Sequence, residues 1–188
     1  MEFLTYLVLF VLVIAGFVGV MIYNRLVSLR QACAQSVSNI DVQMKQRADL
    51  IPNLVSTVKG YASHEREALD SVTVARSAAI SASVPAEIAA ADGMMKSALT
   101  RLFAVSEAYP DLKANQNFLS LQAELADLEN KIAASRRFLN NSVAEYNAAI
   151  EQFPAVLVAK RLGFTPATMF AVSAEERTVI ETVPSVQF

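Results

Sequence analysis

The sequence predicts an all-α protein: an N-terminal transmembrane helix continuing into an antiparallel bundle of long helices, with an extended C-terminal tail. Three observations predict it. Residues 3–22 are twenty consecutive residues without a charge. Apolar residues then recur at helical spacing over most of the chain. No set of alternating runs suited to a sheet is present, and Gly (5) and Pro (6) are scarce. The expected divisions are an anchor over residues 1–23, a bundle domain over 24–163 and a tail over 164–188.

The first element is FLTYLVLFVLVIAGFVGVMI. As a helix it is roughly 30 Å long, the thickness of a bilayer's hydrocarbon core. A cleaved signal peptide has a shorter apolar region, a positive start and a small-residue cleavage site. Here Glu2 is the only charge before the run, and Gly19–Tyr23 offers no such site. A retained span is the expectation. Arg25 and Arg30 follow the run, which predicts the N-terminus outside and the bulk of the chain in the cytoplasm. Tyr6 and Tyr23 stand near the two ends, where amphipathic rings favour the interface. Ala15 and Gly19 have a spacing that lets two spans approach closely, although such pairs are common in apolar runs.

The second element continues the first. Leu26, Cys33, Val37, Ile40 and Met44 form an apolar stripe, extended by Ile51, Leu54, Val55, Val58, Tyr61, Ala62, Leu69 and Val72. Pro52 lies inside this stripe. Asp49 is able to cap a new helix there, but the register survives the proline, so a kinked, continuous helix is expected. Residues 77–92, small and weakly charged with Pro85, are read as the turn.

A further helix is expected from about residue 86 or 93 to 108, with Ile88, Met95, Leu99, Leu102, Phe103 and Ser106 on one face, ended by Tyr109-Pro110. The longest repeat follows. Phe118, Leu125, Ile132, Leu139, Tyr146 and Phe153 are seven apart, and Leu121 and Leu128 fill alternate positions. Asn115 or Asn117 is positioned to cap this helix. A short helix over 155–162 ends at Gly163, and the terminal VPSVQF reads as an extended strap.

Composition excludes several functions. With Glu2 set aside, 16 basic and 17 acidic side chains remain, so a nucleic-acid surface is not expected. Cys33 and His64 are the only residues of their kinds, and together they do not make a zinc site. Cys33 reads as a small core residue and His64 as a surface group on a helix. No phosphate loop, nucleophile elbow, CxxC or HExxH is found. No catalytic residue, cofactor site or metal site is therefore assigned, and no enzymatic activity is expected.

Polar residues within the stripes stand out, among them Arg47, Asp49, Asn53, Glu107, Glu129 and Arg136. They read first as paired groups that set helix register. The alternative is a polar pocket for a ligand. These residues lie in three blocks: IDVQMKQRADLIPNLVSTVKGYASHE, RLFAVSEAYPDLKANQNFLSLQAEL and ENKIAASRRFLNNSVAEYN. The blocks, in this order after an apolar segment running into YNRLV, resemble those of LemA family proteins. The resemblance covers about residues 3–164. It implies a single-pass bacterial membrane protein with a helical bundle and no established enzymatic activity. The chain departs from the family pattern at Ala48, where the family often has His, and at Leu139, where it often has Tyr.

The expected function is that of a self-associating scaffold or envelope-organising interaction protein, with the lipid bilayer and further copies of the chain as partners. The alternative is an accessory subunit of a membrane protease or transporter. A closed ring or other closed array is the expected form of assembly.

Overall fold

A computed structural model of the chain describes residues 1–170. Six helices and no strand occur among the described residues: α1 (Glu2–Lys59), α2 (Arg66–Ser81), α3 (Pro85–Ser106), α4 (Pro110–Lys113), α5 (Gln116–Glu151) and α6 (Val156–Ala159). The chain forms two compact units. One holds residues 1–37 and 137–169, and the other holds residues 38–136 together with Phe170. The all-helical fold is as the sequence predicts.

In the first unit the apolar run is one helical segment with its side chains outward. From Phe3 to Val18 every residue is exposed. It is long and apolar enough to cross a membrane, and none of its most apolar stretch is buried within the protein. Burial begins at Leu26 and continues through Cys33 and Ser36. These residues pack with the end of α5, where Leu139, Val143, Tyr146, Ala149 and Ile150 are buried. Ser36 Oγ lies 3.5 Å from Ser142 Oγ. The chain then passes α6 and turns at Gly163, which adopts φ 78°. The Phe164 amide donates to the Ala159 carbonyl at 3.0 Å, the bond of a left-handed helix stop. Phe164 is buried, with its ring edge-on to Tyr23 at 5.8 Å and under the Arg30 guanidinium at 5.2 Å. The non-helical stretch after it is held by Tyr146, which donates to the Thr165 carbonyl at 3.0 Å. Asn147 both donates to and accepts from the backbone of Ala167, at 2.9 and 2.8 Å.

The second unit is an up-and-down bundle of four long segments. Arg47 on α1 meets Glu129 on α5, and Tyr61 just past α1 meets Asn115 just before α5. As one chain number rises the other falls, so these segments are antiparallel. Arg76 on α2 likewise reaches back to Ala48 on α1. Phe103 on α3 stacks edge-on with Phe118 near the start of α5, at 6.1 Å. The core is built from the expected stripes: Ile40, Met44, Ile51, Leu54 and Val58 from α1, Leu69, Val72 and Ala75 from α2, Ile88, Met95, Leu99 and Leu102 from α3, and Phe118, Leu125, Leu128 and Ile132 from α5. Asn115 caps α5 by accepting the Phe118 amide at 3.0 Å.

Four expectations need correction. The stripe from Ile51 to Val72 is not one helix. α1 stops at Lys59, and the amides of Tyr61 and Ala62 both turn back to the Val58 carbonyl. Gly60 is a poor helix former, while Ala62 remains buried, so the apolar pattern runs across the break. His64 consequently sits in a turn, exposed, and not on a helix. The turn read over 77–92 shrinks to residues 82–84, because α2 runs on to Ser81 and α3 starts at Pro85, beside the earlier of its two expected starts. The start is secured by Glu87, whose carboxylate accepts the amides of Ser83 at 3.0 Å and Val84 at 3.5 Å. Phe153 is not in the core: α5 ends at Glu151 and Phe153 is 79% exposed. Of the tail expected over 164–188, residues 164–170 are non-helical, and VPSVQF lies outside the described residues.

Candidate functional site: a buried ionic layer

At the middle of the four-helix unit the apolar core is interrupted by charge. Arg47 is the largest fully buried side chain among the described residues, 1% exposed. Its position on α1 is three residues after Met44 and four before Ile51, so the helical period carries it inward with the core residues. Its Nη1 donates to Glu129 Oε2 at 2.6 Å, and its Nη2 donates to Asp92 Oδ1. Asp92 on α3 is itself buried, and its second oxygen pairs with Arg136 Nη2 on α5. Arg136 also lies over the Phe170 ring, 4.9 Å from its centre. Two guanidinium groups and two carboxylates therefore form one layer, joining α1, α3 and α5 and carrying no net charge.

The electrostatics follow from burial. Desolvation pulls the Arg47 pKa below its ordinary value, and the charge and hydrogen bond of Glu129 push it back up. A guanidinium keeps its proton in proteins, so burial makes Arg47 depend on its two acids and leaves it charged. Asp92 Oδ1 and Oδ2 are each engaged by a guanidinium, and Glu129 accepts from Arg47. Carboxylates held this way act as fixed acceptors. Their chemical effect is to tie three helices into one register.

A second polar feature lies beside this layer. Pro52 inside α1 has no amide proton, so the carbonyl four residues earlier, that of Ala48, loses its helical partner. Arg76 Nε on α2 donates to that carbonyl at 3.0 Å. A side chain from the neighbouring helix thus replaces the bond the proline removes, and α1 continues without a break.

Of the residues singled out from sequence, Arg47, Glu129 and Arg136 come together here. Asp49 is exposed and lines a shallow recess of about 360 Å³ with Glu124, Asp127 and Lys131. Asn53 is exposed in a different recess of about 420 Å³. Glu107 is exposed and accepts from Lys113 at 2.5 Å. Asp92 was not expected. It sits in EIAAADGMMK, among small residues read as a turn. Its signal was available in the spacing: Ile88, Asp92, Met95 and Leu99 step by four, three and four.

At the opposite turns of this unit, Tyr109 donates to Glu65 at 3.1 Å, and that hydrogen bond raises the Tyr109 pKa. Among the described residues no group of three or more His, Cys, Asp or Glu is arranged to hold a metal ion.

The sequence profile of the LemA family matches residues 36–188. The chain belongs to the LemA family. Protein LemA of Metamycoplasma hominis is 28% identical over 163 residues, which cover 85% of this chain and 73% of that protein. Magnetosome protein MamQ of Magnetospirillum gryphiswaldense is 26% identical over 168 residues, 76% of this chain. The match spans only 62% of that relative's length. Magnetosome protein MamQ 2 of Paramagnetospirillum magneticum is 24% identical over 192 aligned positions, 87% of this chain and 71% of that protein. None of these names describes a reaction. The profile match includes Arg47, Asp92, Glu129 and Arg136, so the whole ionic layer falls inside the part of the chain that defines the family.

Proposed function

We propose that this LemA family chain is a single-pass membrane protein whose bundle serves as a self-associating scaffold, organising a bacterial inner membrane from its cytoplasmic side. The observation that carries the reading is the apolar run of α1. Its side chains from Phe3 to Val18 are all exposed, so none of the described residues covers them. A bilayer is the solvent that removes such a surface from water. Arg25 and Arg30 beyond it favour a cytoplasmic bulk.

Self-association is supported by surface that the four-helix unit leaves uncovered. A recess of about 560 Å³ between α2 and α3 is lined by Val74, Ala75, Gly93 and Met94, among others. Val74 and Met94 are exposed there, and Ile80 and Val84 are exposed near the turn joining the two helices. Confinement to a plane raises effective concentration, so modest lateral contacts suffice for assembly. Two of the relatives are magnetosome proteins, named for the body they belong to and not for a catalysed step.

Crosslinking in native membranes tests the proposal. A cysteine at Met94 in a Cys33→Ala background is expected to form homodimers under oxidation, and one at the exposed Ser56 is not. Labelling of a cysteine placed in the tail by an impermeant maleimide in intact spheroplasts would reverse the orientation. Capture of one foreign subunit at fixed stoichiometry, without homodimers, would favour the role of an accessory to a membrane protease or transporter.

A further inference from the structure

The first unit carries a second apolar surface, distinct from the span. Between the end of α5 and Gly163, four large apolar side chains are exposed, Val158 is half-buried, and the small ones face inward. Phe153 is 79% exposed, Leu157 63%, Val156 47% and Leu162 46%. Ala155 and Ala159 are the buried residues of this stretch. That is the reverse of a segment folded to cover a core. Lys160 and Arg161 are exposed within the same ten residues.

The level of this surface along α1 can be read from two contacts. Ser142 faces Ser36, and Phe164 meets Tyr23, so α5 runs toward the apolar run. Glu151, nine residues beyond Ser142, comes level with Val27, nine residues before Ser36. Val27 is five residues past the end of the apolar run at Ile22, an offset of about 7.5 Å along a helix. The headgroup layer adds roughly 5–7 Å to each side of the hydrocarbon core. Phe153 and the turn that follows therefore emerge where the headgroups begin. Phe164 then folds the chain back onto Tyr23 and Arg30, at the foot of the span.

We infer that residues 153–162 form an interfacial membrane contact, in which Phe153, Leu157 and Leu162 insert among the lipids beside the span and Lys160 and Arg161 bind anionic headgroups. The composition matches what interfacial segments use: large apolar side chains on one surface with basic residues beside them. The occupant is the bilayer itself. The argument for it is continuity, since the surface lies in the same unit as the span and at the level of its end. A second insertion point restrains tilt and rotation of the span, which a single helix leaves free. This inference rests on the span being membrane-embedded.

The test uses the full chain with Cys33→Ala, reconstituted into phosphatidylcholine vesicles containing phosphatidylglycerol. An environment-sensitive fluorophore is placed on Leu157→Cys and, separately, on Phe153→Cys, Val8→Cys and Ser56→Cys. All four native side chains are exposed, so none of the substitutions opens a cavity. Lipids bearing a nitroxide near the headgroup are expected to quench the probes at 157 and 153, with blue-shifted emission, and to leave the probe at 56 unquenched and accessible to aqueous quencher. Quenching at Val8 with probes at 157 and 153 behaving like that at 56 would overturn the inference while leaving the span in place. Blue-shifted emission at 157 and 153 without lipid quenching would overturn it in favour of a second copy covering the surface. A probe at Val8 that stays in water would overturn the span and the inference together.

Discussion

Arg76 of α2 donates its Nε hydrogen to the carbonyl of Ala48, which the missing amide of Pro52 leaves without a helical partner. A proline in a helix interior usually costs a bond and often a kink. Here another helix supplies the missing donor. The proline and the arginine are separated by a turn in sequence and form one structural device.

This relationship predicts a coupling. Arg76→Ala leaves a buried carbonyl unsatisfied and is expected to destabilise the chain by about 1–3 kcal/mol. In a Pro52→Ala background the restored amide satisfies the same carbonyl, so the cost of Arg76→Ala should fall. A double-mutant cycle on urea unfolding in mild detergent measures the difference. Equal costs in the two backgrounds would separate the residues.

The ionic layer predicts an asymmetry between removing one charge and removing all of them. Asp92→Ala removes the acid that Arg47 and Arg136 share, leaves Arg47 with Glu129 alone in a buried site, and should cost about 3–5 kcal/mol. Replacing Arg47, Asp92, Glu129 and Arg136 together by apolar residues of similar volume should cost far less. Melting curves of the two variants decide this, and similar losses would mean that the layer contributes more than paired charge.

The helix register is tested by neighbours. Ile132 is fully buried and Lys131 is exposed, pairing with Asp127 on its own helix. Ile132→Ala should cost about 2–5 kcal/mol. Lys131→Ala should stay within about 0.5 kcal/mol. Matching shifts in melting temperature would place α5 in another register.

The start of α3 predicts a pH dependence. Hydrogen bonds from the Ser83 and Val84 amides hold the Glu87 pKa below its ordinary value of 4.5. A carboxylate with a depressed folded pKa stabilises the folded state above the unfolded pKa, and that contribution is lost as pH falls through the folded pKa. Glu87→Gln should therefore lose less stability than the parent chain on acidification below pH 4.5. Thermal melts of both proteins at neutral and acid pH provide the comparison.

Cys33 is buried, and burial pushes its thiol pKa up. Less thiolate and less access both slow its reaction. An aromatic disulfide reagent should label it slowly in the native protein and at once after denaturation.

Much of this fold was legible because helical period and burial agree. In the α5 stripe Phe118, Leu125, Leu128 and Ile132 are buried as the heptads predict, and Leu121 is half-buried. Beyond Ile132, Val143 and Ile150 are buried while Ser142 is only half-buried. The seven-residue positions Leu139 and Tyr146 are buried as well, and the drift of a straight helix, about 20° per heptad, turns Val143 and Ile150 onto the same face. The break at Gly60 was hidden because Ala62 keeps the apolar rhythm on the far side of the turn. Asp92 was hidden by composition: a lone acid among alanines looks like a solvated turn until its partners, 45 residues before it and 44 after it, are brought beside it. Long-range ion pairing has no local signature, whereas the Asn115 cap does, and that was readable.

The central claim is that the membrane-anchored chain assembles with itself. Its most direct test is the mass of the complex formed by the full chain when extracted from native membranes in mild detergent. The account predicts a closed homo-oligomer, with a mass that is an integer multiple of the 20.4 kDa chain and no other subunit. A monomer in detergent, together with no crosslinked homo-oligomer in the membranes it came from, would contradict it.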